Sequence, residues 1–258
     1  KTAPKAGLFY YWGIKMNKFT RRTVIAAACA AAAMTFAPMS FAQQAPEKKD
    51  VTIAVGGKSL YFYLPLSIAE QLGYFKDEGL NVKIVDFQGG SRSLQAVVGG
   101  SADVVSGAFE HTISMQAKKQ PMTAFVLQGR APQLALVVSN KTMKDYKQLS
   151  DLKGKKVGVT APGSSSQMVA NFILKKGGLG PKDVAFIGVG SSSGAVSAIR
   201  SGQIDALINL DPVITILLKN GDAKLVADTR KVKESESFFG GTMPAGCLYA
   251  PVSFVEKN

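Results

Sequence analysis

Residues 82–111 read VKIVDFQGGSRSLQAVVGGSADVVSGAFEH, and residues 184–213, about 102 positions further on, read VAFIGVGSSSGAVSAIRSGQIDALINLDPV. Laid over one another without a gap, Val82 falls on Val184, Ser91 on Ser193, Ala96 on Ala198, Gly100 on Gly202 and Asp103 on Asp205. Each copy runs from an apolar strand through a Gly/Ser turn and an amphipathic helix to a Gly, an Asp and a second apolar strand. That pattern is a βαβ unit, and two copies at domain spacing predict two similar lobes facing each other. Gly/Ser loops at the strand ends of such lobes commonly hold a small molecule between them.

Outward from the repeat, the same alternation continues. Val51–Val55 reads as a strand ended by Gly56-Gly57, and Leu64 to Leu72 has apolar residues at helical spacing stopped by Gly73. Tyr74 to Leu80 reads as a turn into the strand Val82–Phe87. A helix near Thr112–Lys119 and strands Thr123–Leu127 and Leu134–Val138 follow. After the polar turn Asp151–Lys156 comes a new strand, Val157–Thr160, and Gly163-Ser164-Ser165-Ser166 opens a helix. Strands alternating with helices predict an α/β fold in which each lobe is a mostly parallel sheet flanked by helices. The lobes are expected over 51–140 and 150–243, with 244–258 crossing back toward lobe 1. The chain stops where a helix is about to begin and is expected to continue beyond Asn258.

The net charge of +13 suggests nucleic acid until its placement is considered. Six of the 31 Lys and Arg lie within 1–42, which holds no Asp or Glu, and the rest of the chain carries about +7. Those remaining basic residues are scattered with no aromatic-interleaved stripe, so no nucleic-acid partner is expected. Residues 16–42 instead read as a signal peptide. Met16 to Arg22 is a positive start, Thr23–Ala37 an apolar run too short to span a bilayer, and Ser40-Phe41-Ala42 a cleavage site. Residues 1–15 read as an upstream extension. Arg21-Arg22 leaves both general and twin-arginine export open. Cys29 falls inside the signal, leaving Cys247 alone in the mature chain, so neither an internal disulfide nor a cysteine metal site is expected.

Leu66–Leu80 (LSIAEQLGYFKDEGL) resembles a signature of the substrate-binding proteins of ATP-binding-cassette importers, in the branch that binds nitrate, taurine, alkylsulfonates or thiamine-pyrimidine precursors. The resemblance continues through Gly100–Val104, Asp151–Val159 and Gly202–Ala206. It implies a two-lobed type II periplasmic-binding-protein fold whose usual C-terminal part is missing here. It also implies a periplasmic monomer that hands a small anionic or zwitterionic solute to an inner-membrane permease, with no cofactor and no metal.

In open α/β sheets a ligand sits beyond the carboxyl ends of the strands. That rule nominates Tyr61, Phe62, Gly90, Ser91, Arg92, Phe109, Glu110 and His111 in lobe 1. In lobe 2 it nominates Gly163, Ser164, Ser165, Ser166, Ser191, Ser192 and Asp211. Free N–H groups where Gly/Ser loops open helices suit an oxyanion, although Gly and Ser also simply cap helices. Arg92, in the first turn of a helix, either points into water or answers a bound anion. Tyr61 and Phe62 are candidate apolar walls. Two acids at one cleft, Glu110 and Asp211, are unexpected for a pure anion site and fit a ligand that also carries an amine or ring nitrogen. Asp103 and Asp205 read as turn-capping residues at the opposite end of the sheets. Hydrolase, zinc-protease and P-loop motifs are absent from the mature chain, and with one histidine no second is available for a triad or metal site. A binding protein is therefore expected rather than an enzyme. A ligand-sensing receptor domain is the alternative that the residues leave open.

Overall fold

The computed structural model describes residues 46–258; the expected upstream extension, the signal peptide and Cys29 lie outside the described residues. In chain order the strands are β1 (Asp50–Val55), β2 (Asn81–Asp86), β3 (Val104–Ala108), β4 (Met122–Leu127), β5 (Ala135–Ser139), β6 (Lys156–Val159), β7 (Ala185–Gly188), β8 (Ala206–Asn209), β9 (Ala223–Asp228) and β10 (Gly246–Pro251). The helices are α1 (Leu64–Gln71), α2 (Tyr74–Asp77), α3 (Gly90–Val98), α4 (Glu110–Ala117), α5 (Ser165–Lys176), α6 (Ser193–Ser201), α7 (Val213–Lys219), α8 (Val232–Phe239) and α9 (Val252–Val255). The segment read as a turn at Tyr74–Leu80 thus begins with one helical turn.

The strands form two sheets, ordered β2-β1-β3-β10-β4 and β7-β6-β8-β5-β9. Both belong to one unit, residues 45–258. β1 pairs in parallel with β2 and β3, and β6 with β7 and β8. The fourth position of each sheet is filled from the other half of the chain. β5 runs antiparallel between β8 and β9, and β10 antiparallel between β3 and β4. The sheets are therefore mixed, because a strand arriving from the opposite lobe enters against the local direction. Residues 135–139, within the expected span 51–140, pair in the second sheet. The crossing thus comes before β5, earlier in the chain than the 140–150 interval suggested. β10 does return to the first sheet.

β5 shows how the sequence supports that position. Its run ALVVS is buried along its whole length, as a strand covered on both faces must be. Ala135 and Val137 pack with Ile199, Leu207, Ile214 and Leu217. Leu136 and Val138 point the other way, into the cluster holding Val157, Ile173, Leu174 and Ile208. Period-two alternation thus feeds both layers of the second lobe.

The repeat's matched residues are scaffold. The Ser101 N–H donates to the Ala96 carbonyl and the Gln203 N–H to the Ala198 carbonyl, closing equivalent turns through Gly100 and Gly202, both at positive φ. Asp103 Oδ2 accepts from the Thr52 N–H at 2.8 Å, and Asp205 Oδ2 from the Lys156 N–H at 2.9 Å. Each carboxylate ties the start of its sheet's β1 or β6 strand to the strand beside it, away from the carboxyl ends. Asp205→Ala is expected to lower stability by about 1 kcal/mol. In a urea titration the midpoint should fall with an unchanged slope.

Candidate functional site between the lobes

The loops that follow β1, β2 and β3 face those that follow β6, β7 and β8, and they touch. The Ser91 N–H donates to Ser164 Oγ at 3.0 Å, the Ser91 hydroxyl to the Pro162 carbonyl at 2.9 Å, and the Ser164 hydroxyl to Ser91 Oγ at 3.2 Å. A second link runs from the Tyr61 N–H to the Asp211 carbonyl at 3.0 Å. Glycine makes this approach possible. A Cβ on Gly57 would lie 2.1 Å from Ser191 Oγ, and one on Gly89 2.7 Å from the Ala161 Cβ.

Residues neighbouring these contacts, Arg92 and Pro162 among them, line a cavity of about 650 Å³ between the lobes. Asp86, Gln88 and Arg92 line it from the first lobe, and Thr160, Ser191 and Ser192 from the second. Asp86 Oδ1 accepts from the N–H groups of Gly57 and Lys58 at 2.8 and 2.9 Å, which fixes the loop after β1. The exposed Arg92 guanidinium makes no hydrogen bond or ion pair among the described residues. A free cation beside free serine hydroxyls suits an anionic group.

Outside the lining of that cavity lie Glu110 and His111, 8% and 4% exposed at the start of α4. His111 Nδ1 lies 2.8 Å from the hydroxyl of Tyr249, a fully buried residue on β10. The His111 ring faces the Gly163 carbonyl and the Glu110 carboxyl faces the Ser165 hydroxyl, both from the second lobe. Even so, Glu110 Oε1 and His111 Nε2 are buried without a hydrogen-bond partner. Burial pushes the Glu110 carboxyl up to about 7 and the His111 imidazole down to about 4. Gly90 lies against this pair, since a Cβ there would come within 3.1 Å of His111 Cε1.

The nominated residues therefore separate. Arg92, Ser191 and Ser192 line the cavity; Gly90, Glu110, His111, Gly163 and Ser165 gather at the buried pair; Ser91 and Ser164 join the lobes. Five side chains are placed elsewhere. Tyr61 is 62% exposed and contributes its backbone N–H rather than a wall. Phe62 and Phe109 pack into hydrophobic clusters. The Ser166 hydroxyl turns back to the N–H and hydroxyl of Thr160, at 3.0 and 2.9 Å, inside its own lobe. Asp211 spends its carboxylate on Thr215 and on Arg230, which also grips Asp228. Sequence reasoning missed Asp86, Gln88, Thr160 and Tyr249. The first three sit at a strand's carboxyl end or within two residues of it, which was the available signal.

The family model described as NMT1/THI5 like matches residues 62–232. The chain belongs to this family. Among solved structures, one from Bordetella bronchiseptica RB50 is 62% identical, with a TM-score of 0.81 over 82% of this chain and 66% of that one. The alkanesulfonate-binding protein SsuA from Xanthomonas axonopodis pv. citri, bound to MOPS, shares the fold at a TM-score of 0.63 and 22% identity, over 82% of this chain and 68% of its own. The two mixed sheets are thus the two lobes of a periplasmic-binding-protein fold. YtlA of Bacillus subtilis (strain 168), which carries the name of a binding protein, is 27% identical over 76% of this chain and 57% of YtlA. The 4-amino-5-hydroxymethyl-2-methylpyrimidine phosphate synthase of Schizosaccharomyces pombe is 26% identical over 62% of this chain and 45% of the synthase. This NMT1/THI5-like chain spans about half the length of the curated relatives it matches.

Proposed function

We propose that the protein is the extracytoplasmic solute-binding component of an ABC importer. It acts in the periplasm after export and cleavage behind Ala42, as a monomer. The lobes close on a small anionic or zwitterionic solute, and the closed form is presented to an inner-membrane permease. The observation that carries this reading is the direct lobe-to-lobe bonding of Ser91 with Ser164, beside a polar cavity holding an uncommitted arginine. Capture without turnover fits the side chains available. Burial pushes the Cys247 thiol up to about 12, and the single histidine is sealed against Tyr249. A second reading, a solute of the pyrimidine type, draws on the synthase-named relatives and on the unpartnered Oε1 of Glu110 and Nε2 of His111.

A ligand that prefers the closed state raises the melting temperature by mass action. A thermal-shift screen of sulfonates, nitrate, carboxylates and aminopyrimidines is expected to give at least one shift of several degrees. For an anionic hit, Arg92→Ala should weaken binding about tenfold by titration calorimetry without changing the ligand-free melting temperature. No shift with any compound would overturn the capture reading. Unchanged affinity in Arg92→Ala would remove Arg92 from the site.

A further inference from the structure

Among the described residues, four buried side-chain atoms lack a hydrogen-bond partner, and two of them, Glu110 Oε1 and His111 Nε2, belong to consecutive residues. Such atoms are costly, because a buried polar group without a partner loses its hydration and gains nothing in return. The pair is not an accident of loose packing. His111 is held by Tyr249, a fully buried tyrosine on the strand contributed by the other half of the chain, and Gly90 leaves no room beside the ring. Both groups look out of lobe 1 toward Gly163 and Ser165 of lobe 2.

Chemistry assigns their roles. A neutral imidazole carries one N–H. Nδ1 is taken by the Tyr249 hydroxyl; when that hydroxyl donates, the ring's one proton sits on Nε2. His111 thus offers a donor to the cleft. Glu110 offers an acceptor, and none of its charge neighbours is a cation: the groups that feel it are Tyr63, Tyr249 and Cys247, all neutral near pH 7. An acceptor beside a donor, with no cation supplied by the protein, lacks an N–H from outside.

We infer that Glu110 and His111 are the specificity pair of the cleft, selecting a solute that carries an amino or amidine N–H next to a hydrogen-bond acceptor. This rests on the solute-capture reading above. The solute's N–H donates to Glu110 and its acceptor receives from His111 Nε2, while Arg92 lines the neighbouring cavity, whose lining does not include this pair. A bare oxyanion brings the Glu110 carboxylate no N–H to accept.

The test uses compound pairs that differ by the amino group: taurine against ethanesulfonate, and 4-aminopyrimidine against pyrimidine, measured by calorimetry on wild type and Glu110→Gln. The expected result is that in at least one pair the amino-bearing member binds ten times tighter or more, and that Glu110→Gln removes the preference. Tyr249→Phe, which leaves Nδ1 without its donor, should weaken the same compound while the protein stays folded by circular dichroism. Equal binding within the pairs, or a preference that survives Glu110→Gln, overturns the specificity pair and leaves solute capture standing. Absence of binding by every compound of both kinds overturns both.

Discussion

Ala161→Leu is expected to lower solute affinity by about two orders of magnitude while leaving the ligand-free protein folded. Ala161 stands beyond β6 in lobe 2, and its Cβ lies 2.7 Å from the position a Gly89 Cβ would take in lobe 1. The lobes meet there almost backbone to backbone, so three added carbons have no space in the closed state. Opened lobes remove the clash, which places the cost on closure rather than on either core. If the closed population falls to about 1%, apparent affinity falls about 100-fold, or about 2.7 kcal/mol. The glycines on the facing loops are poorer probes. Gly57 and Gly89 sit at φ of 122° and 97°, where any side chain strains its own lobe as well. Calorimetry with a solute found by the thermal screen measures the effect, and small-angle scattering should show a larger radius of gyration than wild type. Wild-type affinity in Ala161→Leu would mean that the serine contact is not the binding-competent geometry.

Parts of this architecture are written locally and parts are not. The gapless repeat marks two βαβ units because strand, turn and helix are each set by short-range pattern, and Asp103 and Asp205 declare their turns in the same way. The exchange of β5 and β10 has no local signature. Leu134–Val138 reads as an apolar strand whichever sheet receives it, and its direction follows from where the chain crosses. The site divides along the same line. Loops at strand carboxyl ends were legible, whereas the direction in which each side chain points was not. Of three consecutive serines, Ser164 bonds across the cleft, Ser165 faces Glu110, and Ser166 turns back to Thr160. Tyr249 hides in an apolar strand. Its hydroxyl was the clue, since a fully buried tyrosine needs a partner.

Glu110→Gln is expected to stabilise the empty protein at pH 8 and to leave it unchanged at pH 4.5. Folding raises the Glu110 carboxyl from 4.5 to about 7 by burial, so the folded state binds its proton more tightly. Its penalty is therefore absent below about pH 4.5, grows as pH rises, and is complete above about pH 7. His111 acts in the opposite sense. Burial lowers it from 6.5 to about 4, and the facing Lys118 adds to that, so its penalty is absent above 6.5 and grows as pH falls toward 4. Between about 4.5 and 6.5 the two slopes oppose each other, and the Glu110 effect stands alone only near neutrality and above. At 1.36 kcal/mol per pKa unit the carboxylate costs up to about 3 kcal/mol at pH 8. A neutral amide of the same shape recovers part of that, on the order of 5 °C in melting temperature. Melting curves of both proteins from pH 4 to 9 decide the matter: a difference independent of pH would show that Glu110 is not the titrating group. Paired with weaker capture, a gain in stability on losing one charge marks a residue kept for its ligand rather than for its fold.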